Sequence, residues 1–74
     1  MKIQVFYFAG HRELLGKEKE ALDLNEGAST ADLLKRLPNL GKGVAVAVNR
    51  TVVTGDRKLQ EGDEVAFLPP MSGG

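Results

Sequence analysis

The chain contains no cysteine. That excludes disulfides and Cys-type zinc sites as supports for a small core. It also has no apolar run near the roughly 20 residues that a membrane-spanning helix requires. Its first residues enter a strand-like alternation at once, where a secretory leader would be basic and then apolar. A soluble, cytoplasmic protein is the expectation. No sign of charge dominates: ten Lys and Arg balance ten Asp and Glu, and the basic residues are scattered from Lys2 to Lys58. A phosphate-backbone binder needs a concentrated positive face, so nucleic acid is not an expected partner.

What remains is one small domain of 74 residues, 42% of them apolar. Met1 to Ala9 alternate: Ile3, Val5, Tyr7 and Ala9 point one way, and Lys2, Gln4, Phe6 and Phe8 the other. Period two with β-branched and aromatic residues predicts a strand. His11 to Leu15 suit one helical turn, stopped by Gly16. Glu18 to Leu24 alternate again, with Leu22 and Leu24 inward and Glu20 out of pattern, and Asn25-Glu26-Gly27 forms a turn. Ser29 is a good N-cap, with Asp32 placed to complete a capping box. Ala31, Leu33, Leu34 and Leu37 give the helix one apolar face, and Pro38 stops it.

Val44 to Val48 is a continuous apolar run, the pattern of a strand buried on both faces. Asn49-Arg50 turns into a short strand, Thr51 to Thr54. Leu59 tucks in before the turn Glu61-Gly62-Asp63. Glu64 to Leu68 is the last strand, ended by Pro69-Pro70 because proline cannot donate to a ladder. The order strand, strand, helix, strand, short strand, strand predicts an α+β fold of the β-grasp, or ubiquitin-like, type: a mixed sheet packed on one main helix. The domain is expected over residues 1–70, with 71–74 as a flexible tail.

Within that domain a catalytic site is hard to find. His11 is the single histidine, and it falls in an expected loop without a neighbouring carboxylate cluster, as an exposed or capping residue. Glu61, Asp63 and Glu64 lack the further oxygen ligands and spacing of a calcium loop and are expected to form a solvated turn. Ser29 and Ser72 have no base to activate them. Gly41-Lys42-Gly43 is too short for a phosphate loop. The isolated chain is therefore expected to have no catalytic activity of its own, no bound cofactor and no metal.

The sequence ends in Gly73-Gly74. Glycine is 9 of 74 residues, so the pair would arise there by chance in roughly 1–2% of such chains, or nearer 0.5% at the average usage of about 7%. Pro69-Pro70 favours an extended segment ahead of it, and Pro69 to Gly74 can reach about 20 Å at roughly 3.3 Å per residue. Glycines without Cβ can thread a narrow tunnel, and they leave the terminal carbonyl open to attack. A terminal carboxylate, ionised at pH 7 with a pKa of about 3.3–3.7, is a poor electrophile. Conversion to an acyl-adenylate would activate it. A sulfur donor would then give a thiocarboxylate, and a lysine amine an isopeptide. The chain has no nucleotide-binding machinery, so the activating enzyme must be a separate partner.

Several stretches together resemble a known family. They are Val5-Phe6-Tyr7-Phe8-Ala9, Arg12-Glu13-Leu14 with Gly16, Val48-Asn49, Leu59 with Gly62-Asp63-Glu64-Val65-Ala66-Phe67, and Pro69-Pro70-Met71-Ser72-Gly73-Gly74. The pattern resembles the MoaD-like small subunits of molybdopterin synthase; the stretch between Leu37 and Val44 is short for that family. The resemblance implies a β-grasp fold and a sulfur carrier. Gly74 would be adenylated by an E1-like enzyme that uses ATP, then converted to a thiocarboxylate. The carrier would dock on the large synthase subunit, which supplies the catalytic lysines, and pass sulfur to cyclic pyranopterin monophosphate for the dithiolene of molybdopterin. Sulfur carriers of the thiamine or another pathway share the fold and the Gly-Gly end, and ubiquitin-like protein modifiers are a third possibility. A plain β-grasp binding module, with a dispensable tail, is a fourth.

The resulting site is Gly74 as carrier, with Gly73 beside it, and a partner interface of Phe8, Val52, Phe67, Leu68, Pro69, Pro70, Met71 and Ser72. Phe67 and Leu68 lie on opposite faces of one strand, so one is expected in the core and the other at the interface. The resemblance favours Leu68 as the exposed member.

Overall fold

A computed structural model of the chain describes residues 1–37 and 44–68. Pro38, the Gly41-Lys42-Gly43 segment and residues 69–74 lie outside them. Seven elements follow in chain order: β1 (Lys2–Tyr7), α1 (Ala9–Leu15), β2 (Lys19–Asp23), α2 (Thr30–Arg36), β3 (Ala45–Val48), β4 (Thr51–Val53) and β5 (Glu64–Leu68). The strands form one five-stranded sheet in the order β2-β1-β5-β3-β4. β1 and β5 run parallel at its centre, and the other neighbours pair antiparallel. This is the expected β-grasp arrangement.

Register explains the core. Val5 lies opposite Val65 and Tyr7 opposite Phe67, while Val46 meets Phe67 and Val48 meets Val65. With period two, all of these project from one face. Together with Ile3 they form a single buried cluster with Leu33 of α2, Leu24 and Leu59. α2 is fixed at its start by the expected capping box: Asp32 N–H donates to the Ser29 hydroxyl, and Ser29 N–H to Asp32 Oδ2. A second acceptor comes from the 55–58 loop, where Asp56 Oδ1 takes the Ala31 N–H at 2.9 Å. That contact, followed by hydroxyl bonds, holds the Asp56 carboxyl below its ordinary pKa.

Two readings from the sequence are adjusted and a third is explained. β1 ends at Tyr7, and Ala9 opens α1 rather than closing the strand. His11 is not an exposed loop residue: it lies within α1 and is 7% exposed. It stands one turn before Leu15, which packs against the core, and residues four apart share a helix face. Glu20 occupies the core side of β2, opposite Val5, because the buried Tyr7 hydroxyl needs an acceptor. Tyr7 Oη donates to Glu20 Oε1 at 2.6 Å, and Lys17 Nζ donates to Oε2 at 2.6 Å.

Candidate functional site

The face of the sheet away from α2 is built by the alternate residues of the same strands. Phe6 lies opposite Ala66, Ala66 opposite Ala47 and Ala47 opposite Val52. The row is apolar from the centre of the sheet to its β4 edge. Leu68, opposite Ala45, continues it one step along. Phe8 extends the phase of Phe6, because it keeps extended backbone (φ −125°, ψ 154°) as the residue capping α1. Small side chains at 47 and 66 leave a shallow floor between larger walls. A groove of about 290 Å³ runs along it, lined by Phe6, Phe8, Ala66, Arg50 and Glu64.

The expected interface residues separate cleanly. Phe8 is 46% exposed and Val52 61% exposed, both on this open side. Leu68 is half-buried on the same face. Phe67 is a correction: it is fully buried and stacks on Tyr7 with ring centroids 6.3 Å apart. It shares the phase of Val65, so the β5 pleat that opens Leu68 to the surface seals Phe67 in the core. Pro69, Pro70, Met71, Ser72, Gly73 and Gly74 lie outside the described residues. β1 and β5 are parallel and end side by side at Tyr7 and Phe67, so Leu68 delivers the chain to residue 69 at the same end of the sheet as Phe8.

Of the five groove residues the sequence reading assigned only Phe8 to the site, and missed Phe6, Arg50, Glu64 and Ala66. Phe6 carried the right signal in its shared phase with Phe8. Arg50 carried none, since a turn residue has no strand phase to read. The exposed Leu14, 61% accessible on α1, was also unassigned.

The acidic turn has a structural role. Asp63 Oδ2 accepts from Gln60 N–H and Oδ1 from the Asn49 amide, while Glu61 Oε1 accepts from Lys2 N–H. Ser29 acts as the α2 cap. Among the described residues no His, Cys, Asp and Glu side chains cluster with metal-binding geometry, and no helix is long and apolar enough to cross a membrane.

The fold defines a ubiquitin-like β-grasp protein whose second sheet face is left open and apolar. Comparison with known proteins narrows this class. The ThiS family model matches residues 5–74. The molybdopterin synthase sulfur carrier subunit of Chlamydomonas reinhardtii is 40% identical, with all of both chains covered. The Escherichia coli protein of the same name is 40% identical over 97% of this chain and 99% of its own. Among solved structures, SAMP1 from Haloferax volcanii superposes with a TM-score of 0.84 at 25% identity, covering both chains fully. A Pyrococcus furiosus protein assigned as molybdopterin converting factor subunit 1 gives a TM-score of 0.79 at 36% identity, over 96% of this chain and 99% of that one. The chain belongs to the ThiS family, in the company of the molybdopterin synthase sulfur carrier subunits.

Proposed function

We propose that this chain is the sulfur carrier subunit of a molybdopterin synthase and that its reacting atom is the carboxyl carbon of Gly74. The observation that carries the reading is the full-length likeness to proteins of that name, 40% identical from end to end, in a chain whose last residues are Gly73-Gly74. In this reading residues 1–70 are the domain, 71–74 the tail that carries the chemistry, and the protein works in the cytoplasm.

The chemistry follows from the carboxylate. At neutral pH it is ionised and resists nucleophiles. An E1-like partner supplies ATP; a Gly74 oxygen attacks the α-phosphorus, pyrophosphate leaves, and the mixed anhydride is an electrophile. Hydrosulfide from a sulfur donor then attacks the carbonyl carbon, the carbon–oxygen bond to AMP breaks, AMP departs and a thiocarboxylate is left. The domain binds no cofactor for this, and ATP belongs to the partner.

The open face supplies docking. Phe8, Val52 and Leu68 present an apolar surface beside the strand end that leads into the tail, so one docking event on the large synthase subunit would seat the face and aim Pro69 to Gly74 at that subunit's site. Exposed apolar surface that the fold itself does not cover is the usual mark of such an interface.

A second reading, a protein modifier, is favoured by the likeness to SAMP1, since an adenylated glycine also reacts with lysine amines. Mass spectrometry of the protein isolated from cells separates the two. The carrier reading expects a mass gain equal to sulfur minus oxygen on the free chain. Lysine conjugates with no thiocarboxylate would replace it with the modifier reading.

A further inference from the structure

Among the described residues six have positive φ: Gly16, Gly27, Gly55, Gly62, Asn49 and Arg50. Glycine adopts this conformation freely and asparagine tolerates it, whereas a long side chain is strained there. Asn49 and Arg50 are the two turn residues between β3 and β4, closing the hairpin after the Val48–Thr51 pair. A two-residue hairpin loop with both φ values positive most readily takes Asn-Gly.

The two residues differ in what holds them. Asn49 Nδ2 donates to Asp63 Oδ1 at 3.1 Å, its Oδ1 accepts the Glu64 N–H at 3.0 Å, and its own N–H donates to Glu64 O at 2.7 Å. Arg50, at φ 72°, has an exposed side chain whose guanidinium makes no hydrogen bond or ion pair among the described residues. Nothing in the fold requires arginine where glycine would sit without strain. A strained residue without local compensation points to function, and the Arg50 side chain lines the apolar groove with Phe6, Phe8 and Ala66.

We propose that Arg50 is a specificity-determining contact of the docking face, its guanidinium engaging a carboxylate on the synthase large subunit at the rim of the groove. This rests on the carrier reading above. A guanidinium offers only donors, in a planar fork that matches a carboxylate. Glu64 is the other charge in the groove and disfavours an acidic partner surface. Arg50 offsets that repulsion, so removing it both deletes an attraction and exposes a like charge.

The test uses the full chain and the purified large subunit, with calorimetric titration at low and high salt beside thermal melting of the free chain. Arg50→Gly is expected to melt at or above the parent temperature, because strain is relieved, yet to bind at least tenfold more weakly and with less dependence on salt. Arg50→Lys keeps the charge but not the fork and is expected to bind between the two. Unchanged binding of Arg50→Gly would overturn the inference. So would a sharp drop in its melting temperature, which would make Arg50 a support of the turn. Failure of the folded parent chain to bind the large subunit at all would instead overturn the carrier reading, and the inference with it.

Discussion

On one face of the sheet Ile3, Val5, Tyr7, Val65 and Phe67 are sealed against Leu33 of α2, each at 1% exposure or less. On the other, Phe8 and Val52 remain 46% and 61% exposed, although they are as apolar as the residues beneath the helix. Burial explains the first set: it supplies the free energy that offsets chain entropy in so short a domain. Folding gives no reason for the second set. The helix-covered face maintains the fold, and in the function proposed above the open face serves a partner.

The sharpest way to break this contrast is to change one residue on each face. Phe67→Ala should lower stability by about 3–5 kcal/mol, a large share of the roughly 5–15 kcal/mol typical of a domain; urea unfolding measures it. A loss under about 1 kcal/mol would mean that Phe67 is not the core residue its burial indicates. Phe8→Glu should leave stability within about 0.5 kcal/mol while weakening binding to the large subunit by about 2 kcal/mol or more, some 30-fold. If Phe8→Glu unfolds the domain, the open face is part of the core and the contrast fails.

A smaller effect sharpens the margin of the covered face, where Tyr7 and Glu20 meet. Hydrogen bonds from Lys17 and then Tyr7 hold the Glu20 carboxyl below its ordinary value of 4.5. A group with a lowered folded pKa adds stability above its unfolded pKa and loses it as pH falls. That contribution should be complete above about pH 4.5 and decline on acidification through the folded value. Burial, followed by the bond to Glu20, raises the Tyr7 pKa. The sign is reversed there: its contribution is full below about pH 10 and is lost at higher pH. Glu20→Gln should flatten the acid limb of a stability–pH curve; an unchanged limb would assign it to other carboxylates. Glu20 retains 22% side-chain exposure, so screening by water keeps the effect modest.

Much of this was legible in the sequence because period-two alternation records which face each strand residue takes. Ile3, Val5 and Tyr7 announced the covered face, and the Ser29–Asp32 spacing announced the α2 cap. The strand pattern left Phe67 and Leu68 only as a pair on opposite sides; the resemblance favoured Leu68 as the exposed member, and the register of β5 against β1 and β3, a non-local property, gives the reason. His11 was misread because a single helical turn has too few residues to reveal its phase, and Leu15 resolves it only once α1 is placed. Glu20 broke the β2 pattern for a reason on another strand, the Tyr7 hydroxyl. Arg50 was silent because strain in a turn is a matter of φ, and its neighbours Phe6 and Phe8 come from the other end of the chain.

The central claim, that Gly74 carries the sulfur, is tested most directly by removing that one residue. The chain lacking Gly74 should fold as before, since a terminal residue contributes little to burial. Incubated with the purified activating enzyme, ATP, a sulfur donor and the large subunit, it should sulfurate no pterin: its carboxyl would stop about 3.5 Å short, and a misplacement near 1 Å already costs on the order of a hundredfold. Sulfur transfer at a rate comparable to the full chain would contradict the account and leave the Gly73-Gly74 end without a function.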